Sequence, residues 1–181
     1  MEFLVSLDPG SYEMGIALWD RSPGKQWNLR TLTAVTLDRR IKKPKPLITL
    51  RIKQLITQCN ALIPVDLTGA SLAMEAPDVP GQRQRALTLV QGAFMGWATV
   101  RGMEVFAYHQ STLKAILLDS NLTKDHAREY VLEKFPHLEN RTGDEIDAVF
   151  TGLAHIHWLE VTAEAKAGRE AKAGREAKVA T

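Results

Sequence analysis

The chain has one cysteine in 181 residues, Cys59, so an intramolecular disulfide is excluded and the fold must hold by packing. That usage accords with a reducing compartment. No stretch approaches the roughly 18 apolar residues that a membrane span needs. The N-terminus places Glu2 where a signal peptide needs a base, and its apolar run is too short for one. A soluble cytoplasmic protein with no membrane partner is therefore expected. Charge of one sign is also missing: the formal net charge is +2. Residues 161–181 hold five of the 23 bases and three of the 21 acids, leaving 18 of each in residues 1–160. A neutral body leaves a nucleic-acid partner open, because the distribution of charge matters more than its sum. Here Arg39, Arg40, Lys42, Lys43 and Lys45 fall within one short segment.

What is present is an ordinary globular composition, 45% apolar and 24% charged, with a regular alternation of elements. Phe3 to Leu7 reads as a short strand closed by Asp8-Pro9-Gly10, a turn signal. Met14 to Trp19 is a second strand. Trp27 to Leu37 is a third, with Trp27, Leu29, Thr31, Thr33 and Val35 expected on one alternating face. The three form an antiparallel meander. A basic loop follows, then apolar residues at helical spacing from Leu47 to Leu62. Ser71 to Met74 is a buried strand running into Glu75. Residues 82–101 form a helix apolar on two sides, one for the sheet and the other open to a partner subunit, with Gly92 and Gly96 permitting close approach to a partner or, alternatively, tight packing within the chain. Its Trp and Phe residues read as core. Val105 to Tyr108 is the fifth strand, followed by helices near 111–118 and 124–135. Thr142-Gly-Asp-Glu145 is a capping-box pattern that starts the last helix and assigns Glu145 to the cap. After Val161 the chain repeats Glu-Ala-Lys-Ala-Gly-Arg, which lacks the apolar residues to pack a core. The expected organisation is one α/β domain over residues 1–160 and a charged tail over 161–181. Its element order is that of the RNase H-like fold, a five-stranded mixed sheet flanked by helices.

Four acids stand at telling places in that order. Asp8 ends the first strand and Glu75 the fourth; in this fold those strands are neighbours. Asp144 and Asp147, three apart, share one face of the last helix. Four convergent carboxylates repel strongly unless cations lie between them. Hard oxygen ligands suit Mg²⁺ or Mn²⁺. Two such ions about 3.5–4 Å apart activate a water and stabilise the departing oxygen of a phosphodiester. Each acid taken alone has a plainer reading: Asp8 as a turn residue, Glu75 as a strand-end surface residue, Asp144 as a complement to the helix dipole. Asp147, past the cap and inside an apolar helix, is harder to explain that way. His155, two turns on, lies on roughly the same face and is either structural or within reach of the site; His109 and His157 have weaker claims.

Leu7-Asp8-Pro9-Gly10-Ser11 with Gly15, then Ala73-Met74-Glu75, then Asp144-Glu-Ile-Asp147-Ala148 continuing through Gly152-Leu-Ala-His155-Ile-His157, resemble the three motifs of the RuvC family of Holliday-junction resolvases. The resemblance spans about residues 3–158 and includes Val105-Phe-Ala-Tyr108. It implies a homodimer that nicks four-way DNA junctions symmetrically with two Mg²⁺ per site, Mn²⁺ being able to substitute. Asp8, Glu75, Asp144 and Asp147 carry over as metal ligands. Lys114 and Lys124 resemble the family's two basic residues near the scissile phosphate; solvated helix lysines are the alternative. Their spacing is one residue shorter than in bacterial relatives, which leaves Lys124 less certain than Lys114.

The family's aromatic wedge has no counterpart in Ala76-Pro-Asp-Val-Pro-Gly-Gln-Arg-Gln-Arg85, so base preference does not carry over. Arg83, Arg85, Arg39, Arg40, Lys42 and Lys43 are candidate phosphate contacts. The tail has no family counterpart. Sugar kinases and actin-like ATPases also open on an Asp-x-Gly turn, but 181 residues leave no room for their second lobe. A nuclease of the same fold acting on flaps, other branched DNA or structured RNA remains open, as does a non-catalytic junction-binding scaffold.

Overall fold

The computed structural model describes residues 1–10, 12–37, 48–63, 66–76 and 82–179, with the backbone alone for 82–84 and 171–179. Alternating apolar residues build one five-stranded mixed sheet in the order β3-β2-β1-β4-β5. β1 (Glu2–Asp8) pairs antiparallel with β2 (Glu13–Arg21), and β2 with β3 (Asn28–Thr36). On the other side β4 (Ser71–Ala76) runs parallel to β1, and β5 (Glu104–His109) parallel to β4. The expected meander and the expected mixed sheet are both present.

Helices cover the two faces. α1 (Ile48–Leu62) and α2 (Gln82–Val100) lie on one. Their Leu55, Cys59, Val90, Phe94 and Ala98 pack on Val5, Leu7, Ile16, Leu72 and Met74. α3 (Gln110–Leu117), α4 (Lys124–Lys134) and α5 (Gly143–Val179) cover the other. There Leu113, Val131, Ile146, Val149 and Phe150 enclose Leu4, Ala17, Trp19 and Ala73. α5 contacts β1 and β2 most extensively, so it lies across the middle of the sheet. Gly152 is one point of close approach. A Cβ there would run into the Trp19 indole nitrogen and stand 2.7 Å from Ser6 Oγ. The Trp19 indole N–H donates to Ser6 Oγ at 2.9 Å, satisfying two buried polar groups directly beneath the helix.

One expectation needs correction. Trp27, Leu29, Thr31, Thr33 and Val35 do not share one face. Leu18 pairs with Thr31 but Trp19 pairs with Leu29, so Arg30 is an extra residue in β3. Such a bulge reverses the alternation. Trp27, Leu29 and Leu32 therefore join the core under α5, while Val35 and Leu37 join the opposite one. The Glu-Ala-Lys-Ala-Gly-Arg repeat continues the last helix, with α5 running unbroken to Val179. Its described side chains from Glu160 to Glu170 are exposed, so this extension adds nothing to the core. No helix among the described residues is long and apolar enough to cross a membrane.

Candidate active site

Parallel pairing of β1 and β4 puts their C-terminal ends at the same edge of the sheet. Leu7 stands opposite Met74, so Asp8 and Glu75 leave the last paired rung side by side. On the next strand Tyr108 is the partner of Glu75. The other two acids arrive on α5. Thr142 caps it as expected: the Glu145 N–H donates to Thr142 Oγ1 at 3.3 Å, and the Thr142 N–H donates to Glu145 Oε2 at 2.9 Å. Arg141 holds the same carboxylate at 3.1 Å. Glu145 is thus consumed by the cap, and Asp144 and Asp147 turn to the sheet.

The helix end can reach the sheet because of Gly15, the β2 partner of Asp8. A Cβ on Gly15 would collide with the Asp144 carbonyl and stand 2.9 Å from the Glu145 nitrogen. The first turn of α5 therefore rests directly on β2, one strand from Asp8. A further anchor comes from α2: Gln91, buried in the middle of that helix's apolar face, donates its amide to the Glu75 carbonyl at 2.6 Å. A small crevice beyond the strand ends is lined by Asp8, Glu75, Leu87 and Gln91.

The fold has solved counterparts. RuvC of Thermus thermophilus matches 88% of this chain and 96% of its own, with a TM-score of 0.69 at 17% identity. This chain has the RuvC fold. In complex with a Holliday junction substrate, T. thermophilus RuvC matches the same shares of both chains at the same identity, with a TM-score of 0.65. The yeast mitochondrial Holliday junction resolvase Ydc2 matches 86% of this chain and 78% of its own, at 8% identity and a TM-score of 0.58. No protein-family model matches the chain, and no curated protein matches it in sequence.

Within the RuvC fold the four acids act on one another. Burial pushes the Asp8 carboxyl up to about 8, and the charges of Asp147, Glu75 and Asp144 add to the shift against a smaller opposing effect of Lys124. Burial also raises Asp147, opposed by its hydrogen bond and ion pair with Lys124. Among the described residues, no three His, Cys, Asp or Glu side chains close on a single point as metal ligands in this arrangement. The donor set nevertheless fits a hard divalent cation. All four side chains offer carboxylate oxygens, two from the sheet and two from the helix, and their mutual repulsion calls for positive charge.

The basic residues divide. Lys124, the less certain of the two lysines, opens α4 and pairs with Asp147. Lys114 lies half-buried on α3 and makes no ion pair with the four acids. Arg85 is exposed on α2. Arg39, Arg40, Lys42, Lys43 and Lys45 lie outside the described residues, as does Ser11; for Arg83 only the backbone in α2 is described.

His155 is structural in its contacts. It is 0% exposed, and Tyr108 Oη lies within hydrogen-bond distance of its Nδ1 at 2.7 Å. The Phe106 ring centroid is 4.4 Å from the imidazole, and Trp158 stacks on it at 5.7 Å. Burial holds the imidazole down to about 4, hence neutral. This bond ties β5, next to the strand of Glu75, to the helix of Asp144 and Asp147. Tyr108→Phe keeps the ring packing and removes the hydroxyl; it should lower stability by about 1–3 kcal/mol, read from urea denaturation. An unchanged midpoint would show that the bond contributes nothing.

Gln91, the Tyr108–His155 bond and the α4 cap were not expected from sequence. Gln91 had a signal, as the one polar side chain among Leu87, Val90, Phe94 and Ala98 at helical spacing. The α4 cap had little, since His126 stands where Glu or Gln usually does: the Thr123 N–H donates to His126 Nδ1 at 3.2 Å.

Proposed function

We propose that this protein is a structure-specific endonuclease that resolves Holliday junctions by paired symmetric nicking through two-metal-ion phosphodiester hydrolysis. The observation that carries the reading is that Asp8 and Glu75 leave adjacent parallel strands of a RuvC fold close enough to α5 for the charges of Asp144 and Asp147 to act on Asp8. The junction substrate is supported by the solved counterparts, of which T. thermophilus RuvC is seen in complex with a Holliday junction.

Asp8 and Glu75 from the sheet, with Asp144 and Asp147 from the helix, would hold two Mg²⁺, and Mn²⁺ would serve in their place. When bound, the ions supply a nucleophilic water and charge stabilisation at the departing oxygen. The protein's own work is positional. Gly15 sets the depth of α5, the Thr142–Glu145 box fixes its first turn, and Gln91 steadies the strand of Glu75. Lys124, more than half exposed beside Asp147, stands where it can contact a phosphate oxygen, and Lys114 on the adjoining helix is the second candidate. Arg39, Arg40, Lys42, Lys43, Arg83 and Arg85 are proposed contacts to the DNA backbone. A nuclease for flaps or structured RNA would use the same acids; nothing in the geometry favours it.

The dimer belongs to the proposal. A two-fold junction is met by a two-fold enzyme. α2 leaves one apolar stripe uncovered, with Leu89 at 53% exposure and Val100 at 89%. Gly92 and Gly96 lie on the same stripe, and at each the space a Cβ would fill is open, so another helix can come close. Light scattering at micromolar concentration should give about twice the 20.1 kDa of one chain, and Leu89→Glu should return it to one. In a cruciform plasmid, paired nicking yields linear product, whereas the monomeric variant should yield nicked circles. A wild-type monomer, with and without junction DNA, would refute the paired mechanism.

A further inference from the structure

Lys124 is the first residue of α4, capped by Thr123 and His126. An ammonium there is poorly placed for its own helix, because the N-terminal end of the dipole is positive. Its compensation comes from another element. Lys124 pairs with Asp147 on α5, and the charges of Asp8 and Glu75 act on it as well. The two partners differ in freedom. The Asp147 side chain is 11% exposed and lies on the buried face of α5; the Lys124 side chain is 59% exposed on a flexible four-carbon stem. The carboxylate is fixed and the ammonium is free to leave. Asp147 Oδ2 is the oxygen that the ammonium contacts, and on the proposed metal reading it would also be a ligand for a divalent ion.

We propose that Lys124 is a built-in competitor for the divalent cation: its ammonium occupies Asp147 in the metal-free protein and is displaced when the metal binds. The lysine released by that exchange becomes available to a DNA phosphate, so metal loading and phosphate capture are coupled in one step. This inference rests on the reading of the four acids as a metal site. It adds that a basic residue beside them opposes metal binding in the free protein and favours DNA binding only once metal is present.

The test uses the full-length protein without DNA. Mn²⁺ binding is followed by loss of the free-ion EPR signal for wild type, Lys124→Ala, Lys124→Gln and Lys114→Ala, and each is melted in EDTA and in saturating Mn²⁺. Removing the competitor should tighten Mn²⁺ binding about 5-fold, the upper range for a part-exposed ion pair. In EDTA, Lys124→Ala and Lys124→Gln should melt below wild type, because the acids lose their counter-charge; in Mn²⁺ the deficit should vanish. Lys114→Ala should change neither quantity. With non-cleaving Ca²⁺ added, wild type should gain more affinity for four-way junction than Lys124→Ala does. Unchanged or weaker Mn²⁺ binding by the Lys124 variants, with a melting deficit that persists in Mn²⁺, would overturn the exchange and leave the lysine a structural partner. If wild type and variants alike bind no Mn²⁺ while remaining folded, the metal site itself fails, and the exchange with it.

Discussion

Asp8→Asn should lose junction cleavage by at least about 1,000-fold while melting higher than wild type in EDTA. On the proposed metal chemistry, the first half follows from removing a ligand charge that would stabilise the transition state by several kcal/mol. The second follows from the cost of keeping that charge buried. The Asp8 carboxyl ordinarily loses its proton near 3.8, but burial and then the charges of Asp147, Glu75 and Asp144 push it up to about 8 in the folded chain. The folded state therefore binds the proton more tightly than the unfolded one. The Asp8 contribution to stability is fully present below about pH 4 and is lost as pH rises toward 8 in the metal-free protein. At pH 7 that loss is on the order of a few kcal/mol, and the neutral amide of Asn avoids it. A rise in melting temperature of about 5 °C or more in EDTA is expected. If the four acids hold Mg²⁺ as proposed, adding it should reverse the order, because the folded wild type would bind the ion and the variant would do so poorly. A variant that melts at or below wild type in EDTA at pH 7, and whose pH dependence matches it between 4 and 8, would show that Asp8 carries no buried charge burden.

Gly15→Ala should be nearly as damaging to catalysis although Gly15 carries no chemistry. The added methyl would occupy the space of the Asp144 carbonyl, and backbone on both sides leaves no flexible atom to yield. The first turn of α5 must lift from β2, taking Asp144 and Asp147 away from Asp8 and Glu75. Overpacking of this kind costs about 1–3 kcal/mol in stability. The functional loss should be larger, because a misplacement of about 1 Å can itself cost about 100-fold in rate. The check is a folded variant, by circular dichroism and melting, with Mn²⁺ affinity and cleavage each down at least about 100-fold. Wild-type affinity in a stably folded Gly15→Ala protein would mean that the helix end does not position the acids.

Much of this architecture was legible because it depends on local pattern. The strands of Phe3–Leu7 and Met14–Trp19, the capping box at Thr142 and the Asp144–Asp147 spacing each declare themselves within a few residues. The side-by-side exit of Asp8 and Glu75 from neighbouring strands was legible through the element order alone. What escaped depends on tertiary partners. The β3 bulge at Arg30 is decided by register against Trp19 and Leu18, so strict alternation misassigned Leu29 and Val35 to one face. The contact of Lys124 with Asp147 was invisible in linear spacing, because it depends on the docking of α4 on α5. The helical state of the repeat beyond Val161 has a related cause. Alanine-rich sequence with a glycine in every six residues is marginal alone, but it continues a helix already nucleated by a packed core. His155 shares the helical stripe of Asp147, and only the fold shows that it faces Tyr108, Phe106 and Trp158.

The most direct measurement compares wild type with Asp8→Asn on labelled four-way junction, linear duplex, flap DNA and RNA–DNA hybrid, in Mg²⁺ and in EDTA. Paired nicks placed symmetrically across the junction, present only with Mg²⁺ and lost in Asp8→Asn while junction binding survives, are the predicted result. Tight junction binding with no cutting of any substrate in Mg²⁺ or Mn²⁺ would contradict it and make the protein a scaffold on a nuclease fold.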